Sequence, residues 1–139
     1  MQPRVSIISL GVEDLARARA FYEAMGWKAS ALSNDTIVFF QAGSLILGLY
    51  PRALLAKDAG APLAAGSGAT LAHNVGSKEE VDQLLADAEA AGARMGRPAQ
   101  DTEWGGYSGY FFDPEGHGWE IAWNPHFPLD SSGAVRLPA

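Results

Sequence analysis

The chain has 139 residues, with 16 acidic and 10 basic side chains and a net charge of −6; its isoelectric point lies near 4.9. That acidity argues against nucleic acid and anionic membrane as partners, since both need a basic face. The absence of cysteine excludes disulfides, thiolate metal sites and a thiol nucleophile. With 47% hydrophobic and 19% charged residues, residues 1–139 are expected to fold as one domain that buries roughly 68% of its unfolded surface. The apolar run near the start is too short to span a bilayer and reads as a first strand, and a cytoplasmic location is expected.

The first strand is the β-branched run Val5 to Leu10. Asp14 stands at an N-cap position before Leu15 to Met25, where Leu15, Ala18, Phe21, Tyr22 and Met25 recur at helical spacing. Gly26 follows where a left-handed cap is expected. Three strands are predicted next, near Trp27 to Leu32, Thr36 to Gln41 and Leu45 to Tyr50, with turns at Asn34-Asp35 and Ala42-Gly43. Residues 51–68, rich in alanine and glycine, read as a linker with a short helix near Ala53 to Lys57.

The pattern then repeats. Ala69 to Val75 is a strand, and Ser77 with Glu80 forms a capping box. Val81, Leu84, Leu85 and Ala88 make the apolar stripe of a helix that ends at Gly92. Strands are predicted near Ala93 to Arg97, Tyr107 to Phe112 and His117 to Trp123. Residues 126–139 read as an extended tail. Val12 to Gly26 matches Val75 to Gly92 with three residues inserted, Phe39-Phe40 matches Phe111-Phe112, and Tyr50 matches Trp123 with a turn one residue shorter in the first copy. The expected fold class is α+β: two βαβββ repeats, at about 4–50 and 69–125, forming curved mixed sheets.

The segment Trp104 to Pro125 is the richest in signals. Asp113-Pro114-Glu115-Gly116 makes a turn, because proline presets φ and aspartate can bond to its own backbone. The strand after it, Trp119 to Trp123, favours β structure except at Glu120. A carboxylate inside a buried strand is costly unless it has a partner, so Glu120 is the first functional candidate.

The two βαβββ units, the opening Leu10-Gly11-Val12-Glu13-Asp14-Leu15 with Phe21-Tyr22 and Gly26, and the closing DPEGH-x-WE motif resemble the vicinal oxygen chelate superfamily. That group includes glyoxalase I, extradiol dioxygenases and the fosfomycin and bleomycin resistance proteins. The resemblance covers about Val5 to Pro125. It implies half-barrels that pair within a chain or across a homodimer and enclose a ligand cavity. In the metal enzymes of the group, His, Gln or Glu side chains occupy four symmetric positions. Carried over here, those positions are Ile7, Leu47, Thr70 and Glu120. Two aliphatic side chains cannot coordinate and a threonine hydroxyl is a poor ligand, so no family-type divalent metal is expected. Strand parity turns His73 towards the helices unless a bulge intervenes, puts His117 in the turn and leaves His126 in the tail.

The residues expected to line the ligand site are therefore Ile7, Ser9, Leu47, Thr70, Tyr110 and Glu120, with Trp104 and Tyr107 from a glycine-flanked loop that reads either as a lid or as a tight turn. Such a lining suits a small, largely apolar or aromatic organic molecule with one donor or cationic group. Three functions remain open: a metal-free small-molecule binder, like the bleomycin resistance branch; a divergent lyase, isomerase or dioxygenase with Glu120 as metal ligand or general base; or an interaction module with no small ligand, in which Glu120 is a structural residue bonded to a neighbouring side chain. No Ser-His-Asp set, phosphate loop or dinucleotide fingerprint is present, and Gly66-Ser67-Gly68 is too short to count.

Overall fold

A computed structural model describes residues 1–63, 68–135 and 137. Residues 64–67 of the expected linker, including Gly66-Ser67, and residues 136, 138 and 139 of the expected tail lie outside it. The chain divides into two units, Met1–Ser67 and Gly68–Ala139. Each is α+β, built on an open mixed sheet.

In the first unit, β1 (Ile7–Val12), α1 (Leu15–Ala24), β2 (Val38–Ala42), β3 (Leu45–Pro51) and α2 (Arg52–Ala59) follow one another. The sheet order is β1-β3-β2; β1 runs parallel to β3, and β2 antiparallel to it. The helix α1 starts where Asp14 accepts a hydrogen bond from the Arg17 amide at 2.9 Å, which satisfies one of the free first-turn donors. It ends just before Gly26, whose φ of +87° is easy only for glycine. Ala18, Phe21 and Tyr22 press its apolar face onto Val38, Phe40, Leu47 and Leu49, all buried. Tyr22, Trp27 and Phe40 meet with ring centroids 5.7–5.8 Å apart. Burying each large apolar side chain stabilises the fold by about 1.5–3 kcal/mol. The strand expected near Trp27 to Leu32 is reduced to one bridge, Ala29 to Phe40. Its neighbourhood bends into turns at Ser33 and Asn34, where the Asn34 side chain accepts from the amides of Thr36 and Ile37. The short helix expected within residues 51–68 is α2.

In the second unit, β4 (Thr70–Asn74), α3 (Lys78–Ala90), β5 (Arg94–Met95), β6 (Gln100–Asp101), β7 (Tyr107–Phe112) and β8 (Gly118–Trp123) follow one another. The sheet order is β4-β8-β7-β5, and β6, which the sequence pattern does not suggest, pairs with β7. Ser77 accepts from the Glu80 amide at 3.2 Å, while the Glu80 carboxylate accepts from Gly76 rather than Ser77, so the expected capping box is displaced by one residue. Val81, Leu85 and Ala88 are buried. Leu85 lies over Gly109, where a Cβ would come within 2.6 Å of it. The tail folds back on itself through a Leu129–Val135 bridge rather than running extended.

The pairing registers correct the alignment of the two repeats. Ile7 pairs with Ile46 and Ser9 with Gly48, while Thr70 pairs with Gly118 and Ala72 with Glu120. If Ile7 matches Thr70, the counterpart of Glu120 is therefore Gly48, not Leu47. Likewise Phe39 matches Tyr110, since each faces that position across the hairpin. A slip of one residue turns a side chain to the other face of the sheet. Leu47, expected in the ligand site, is instead 2% exposed in the core beneath α1.

Candidate functional site

The face of the second sheet turned away from α3 carries the polar side chains. Pairing registers place Ser108, Tyr110 and Phe112 of β7 beside Ala122, Glu120 and Gly118 of β8. Asn74, Ala72 and Thr70 of β4 continue the same rows. The methyl of Thr70 would touch a Cβ on Gly118 at 3.1 Å, which puts Thr70 on this face. Thr70, Tyr110 and Glu120, three of the expected site residues, are thus brought onto one surface.

At its centre, Glu120 is half-buried between Ala72 and Tyr110. Burial raises the pKa of the Tyr110 phenol, as do the charge and hydrogen bonding of Glu120, and nearby Arg97 opposes the rise. The Arg97 guanidinium carbon stands 5.3 Å from the Tyr110 ring centroid. Its Nη2 donates to Ser108 Oγ at 2.7 Å, and Ser108 is fully buried. Arg97 is held there by the backbone: the Tyr110 amide donates to the Arg97 carbonyl, and the Gly96 amide to the Tyr110 carbonyl. One row over, Arg94 covers Phe112 at 4.2 Å. Sequence reasoning missed Arg97 and Ser108. The available signal was strand parity, which sets Ser108 and Tyr110 on one face, two residues apart.

Tyr107 does not join this surface. It points to the α3 side, where its hydroxyl donates to Asp82 at 2.9 Å; that bond and burial raise its pKa. Trp104 sits in a closed turn. The Thr102 amide donates to the Gly106 carbonyl, and the Gly105 amide to the Thr102 carbonyl. The Trp104 ring covers Gly106 so closely that a Cβ there would overlap it. The loop is a tight turn, not an open lid. Ile7 and Ser9 lie in the first unit, on the side of its sheet away from α1; Ser9 Oγ is 3.5 Å from where a Cβ of Gly48 would stand.

The histidines are placed as follows. His73 pairs with buried Ile121 and faces α3; burial lowers its pKa and the Glu80 charge raises it. His117 Nδ1 meets Asp113 Oδ2 at 2.9 Å, and the Asp113 carboxylate also accepts from the amides of Glu115 and His117. His126 borders Gly105. Among the described residues, no three His, Asp or Glu side chains converge to hold a metal ion. Of the symmetric positions, Ile7 and Gly48 of the first unit offer no donor side chain, and Thr70 and Glu120 of the second offer one hydroxyl and one carboxylate, so neither unit carries residues that fit a divalent transition metal. Among the described residues, no helix is long and apolar enough to cross a membrane.

Residues 4–121 match the family model described as Glyoxalase/Bleomycin resistance protein/Dioxygenase superfamily. A crystal structure of a glyoxalase-related enzyme from Fulvimarina pelagi is similar at 36% identity, covering 99% of each chain with a TM-score of 0.90. A family enzyme from Burkholderia phytofirmans PsJN shares the fold at 24% identity, covering 85% of this chain and 96% of its own, TM-score 0.76. So does a lactoylglutathione lyase from Agrobacterium tumefaciens, at 24% identity, 88% and 95% coverage and a TM-score of 0.69. No curated protein matches.

Proposed function

Because the chain belongs to the glyoxalase/bleomycin resistance protein/dioxygenase superfamily, we propose that it binds a small, largely aromatic or apolar organic molecule on the Glu120 face of its second unit, without a family-type catalytic metal. The observation that carries this reading is Glu120 itself. A half-buried carboxylate stands between an alanine and a phenol that hydrogen-bonds it, on a surface of aromatic, small polar and arginine side chains. Such a group is stabilised by a ligand that brings a hydrogen-bond donor or a positive charge to it. What supports the metal-free part is that, among the described residues, Glu120 belongs to no cluster of three His, Asp or Glu side chains able to hold a metal ion.

Calorimetric titration of the full chain with para-methylbenzylamine tests the reading. Glu120→Gln is expected to weaken binding about tenfold, the value of one charge-assisted hydrogen bond. Equal affinity for the two proteins overturns the role of Glu120. Metal analysis of protein purified without chelator tests the other part: one tightly held transition metal per chain overturns it.

The likeness to a glyoxalase-related enzyme favours a second reading, in which Glu120 is a general base in a lyase or isomerase reaction. Turnover that survives Glu120→Gln excludes that acid as the base.

A further inference from the structure

Two charges of opposite sign share one row of this face without pairing with each other. Arg97 donates only to neutral oxygens, Ser108 Oγ at 2.7 Å and the Pro98 carbonyl at 3.4 Å. No ion pair joins it to Glu120 among the described residues. The Tyr110 ring keeps them apart: the guanidinium lies over it, and Glu120 faces it from the next strand. Arg97 and Glu120 thus reach Tyr110 from the two backbone segments that flank it, Arg97 across its ring and Glu120 at its hydroxyl. Both are half-buried. Among the described residues, each charge keeps only neutral partners, Ser108 and the Pro98 carbonyl for Arg97 and the Tyr110 hydroxyl for Glu120, so a ligand group of opposite charge can form a stronger, charge-assisted bond at either end. The guanidinium is a planar fork suited to carboxylate. Arg94, over Phe112 in the adjoining row, adds positive potential at the same end. This cationic end is local, because the chain as a whole carries −6.

We propose that the ligand is an aromatic zwitterion, with a carboxylate at Arg97, an apolar ring across Tyr110, and an ammonium or similar cationic donor at Glu120. The inference deepens the binding function and rests on it for the Glu120 end; the Arg97 end is independent. Its content is polarity and direction: the anionic end of the ligand points to β5 and the cationic end to β8.

Three probes test it by calorimetry on the full chain. They are para-(aminomethyl)phenylacetate, which carries both charges, and para-methylbenzylamine and para-methylphenylacetate, which carry one each. The doubly charged probe is expected to bind about tenfold more tightly than either of the others. Arg97→Gln is expected to reduce its affinity to that of the amine, and Glu120→Gln to that of the acid. Arg97→Lys, which keeps the charge and loses the fork, is expected to fall between the parent and Arg97→Gln. Circular dichroism of each variant confirms that the fold is retained. A doubly charged probe that binds no better than the amine, or an advantage that survives Arg97→Gln, overturns the proposal while leaving the Glu120 reading intact. An advantage lost in Arg97→Gln but kept in Glu120→Gln overturns the Glu120 reading instead. Failure of all three probes to bind overturns both.

Discussion

The two units share a plan and differ in what their outer faces carry. In the first, the row Ser9, Gly48 and Phe39 is neutral. In the second, the corresponding row Ala72, Glu120 and Tyr110, extended by Arg97, holds both signs of charge. Their inner faces are alike, with a helix packed on buried aliphatic and aromatic side chains. The repeat has therefore kept its packing face and diverged on its chemical one. Packing constrains volume and pattern at many positions at once, whereas a single acid or guanidinium changes a surface without disturbing the core.

The strongest way to stress this comparison is to damage one core. Phe40→Ala removes a ring that is 1% exposed and packed on Tyr22 and Trp27. It is expected to destabilise by about 3–5 kcal/mol, read as a lower urea midpoint. A loss under about 1 kcal/mol would mean that the aromatic cluster adds little.

A paired glycine experiment separates the two faces. A Cβ on Gly109 would meet Leu85 at 2.6 Å and the Ala99 amide nitrogen at 2.9 Å. Gly109→Ala is expected to cost about 1–3 kcal/mol through overpacking against α3 and the neighbouring backbone. At Gly48 the nearest atom is 3.5 Å away, an ordinary contact on the outer face. Gly48→Ala is expected to be neutral or to stabilise by about 0.5 kcal/mol, because glycine is entropically costly in a strand. Similar losses at both positions would erase the distinction.

The smallest expected effect is a pH dependence. His73 has a pKa lowered from 6.5, chiefly by burial. The unfolded chain therefore takes up a proton more readily than the folded one in the window below pH 6.5. Stability is fully present above that value and falls as pH drops through the folded-state pKa. The imidazole keeps an exposed edge despite its packing towards α3, so solvent softens the effect. Replacing His73 with asparagine is expected to flatten the stability profile in this window, measured by urea unfolding at several pH values. An unchanged slope would mean that another group titrates there.

Much of the architecture was legible in the sequence because its punctuation is local. Asp14, Gly26, Ser77 and Gly92 bound α1 and α3 through caps and positive-φ glycines that act within a few residues. β7 spans Tyr107–Phe112, as the pattern predicts. The register of β3 was not legible. It is fixed by long-range pairing with β1, and an unbroken apolar run such as Leu45 to Leu47 offers no alternation to anchor it. That is why Leu47 stood in for Gly48. Tyr107 was misplaced for a related reason: a loop–strand junction does not reveal which face its first residue takes, and the partner that fixes it, Asp82, lies 25 positions earlier. Arg97 escaped notice because only the folded hairpin lays it over Tyr110.

The Asp113–His117 turn has a consequence for how such chains are recognised. Its aspartate and histidine look like an acid–base pair, yet the carboxylate is occupied by two backbone amides and the imidazole of its own bend. The signature that advertises this lineage is thus scaffolding that steers the final strand. A chain can therefore carry this turn whatever its outer sheet face binds, because the bend draws on none of that face's side chains.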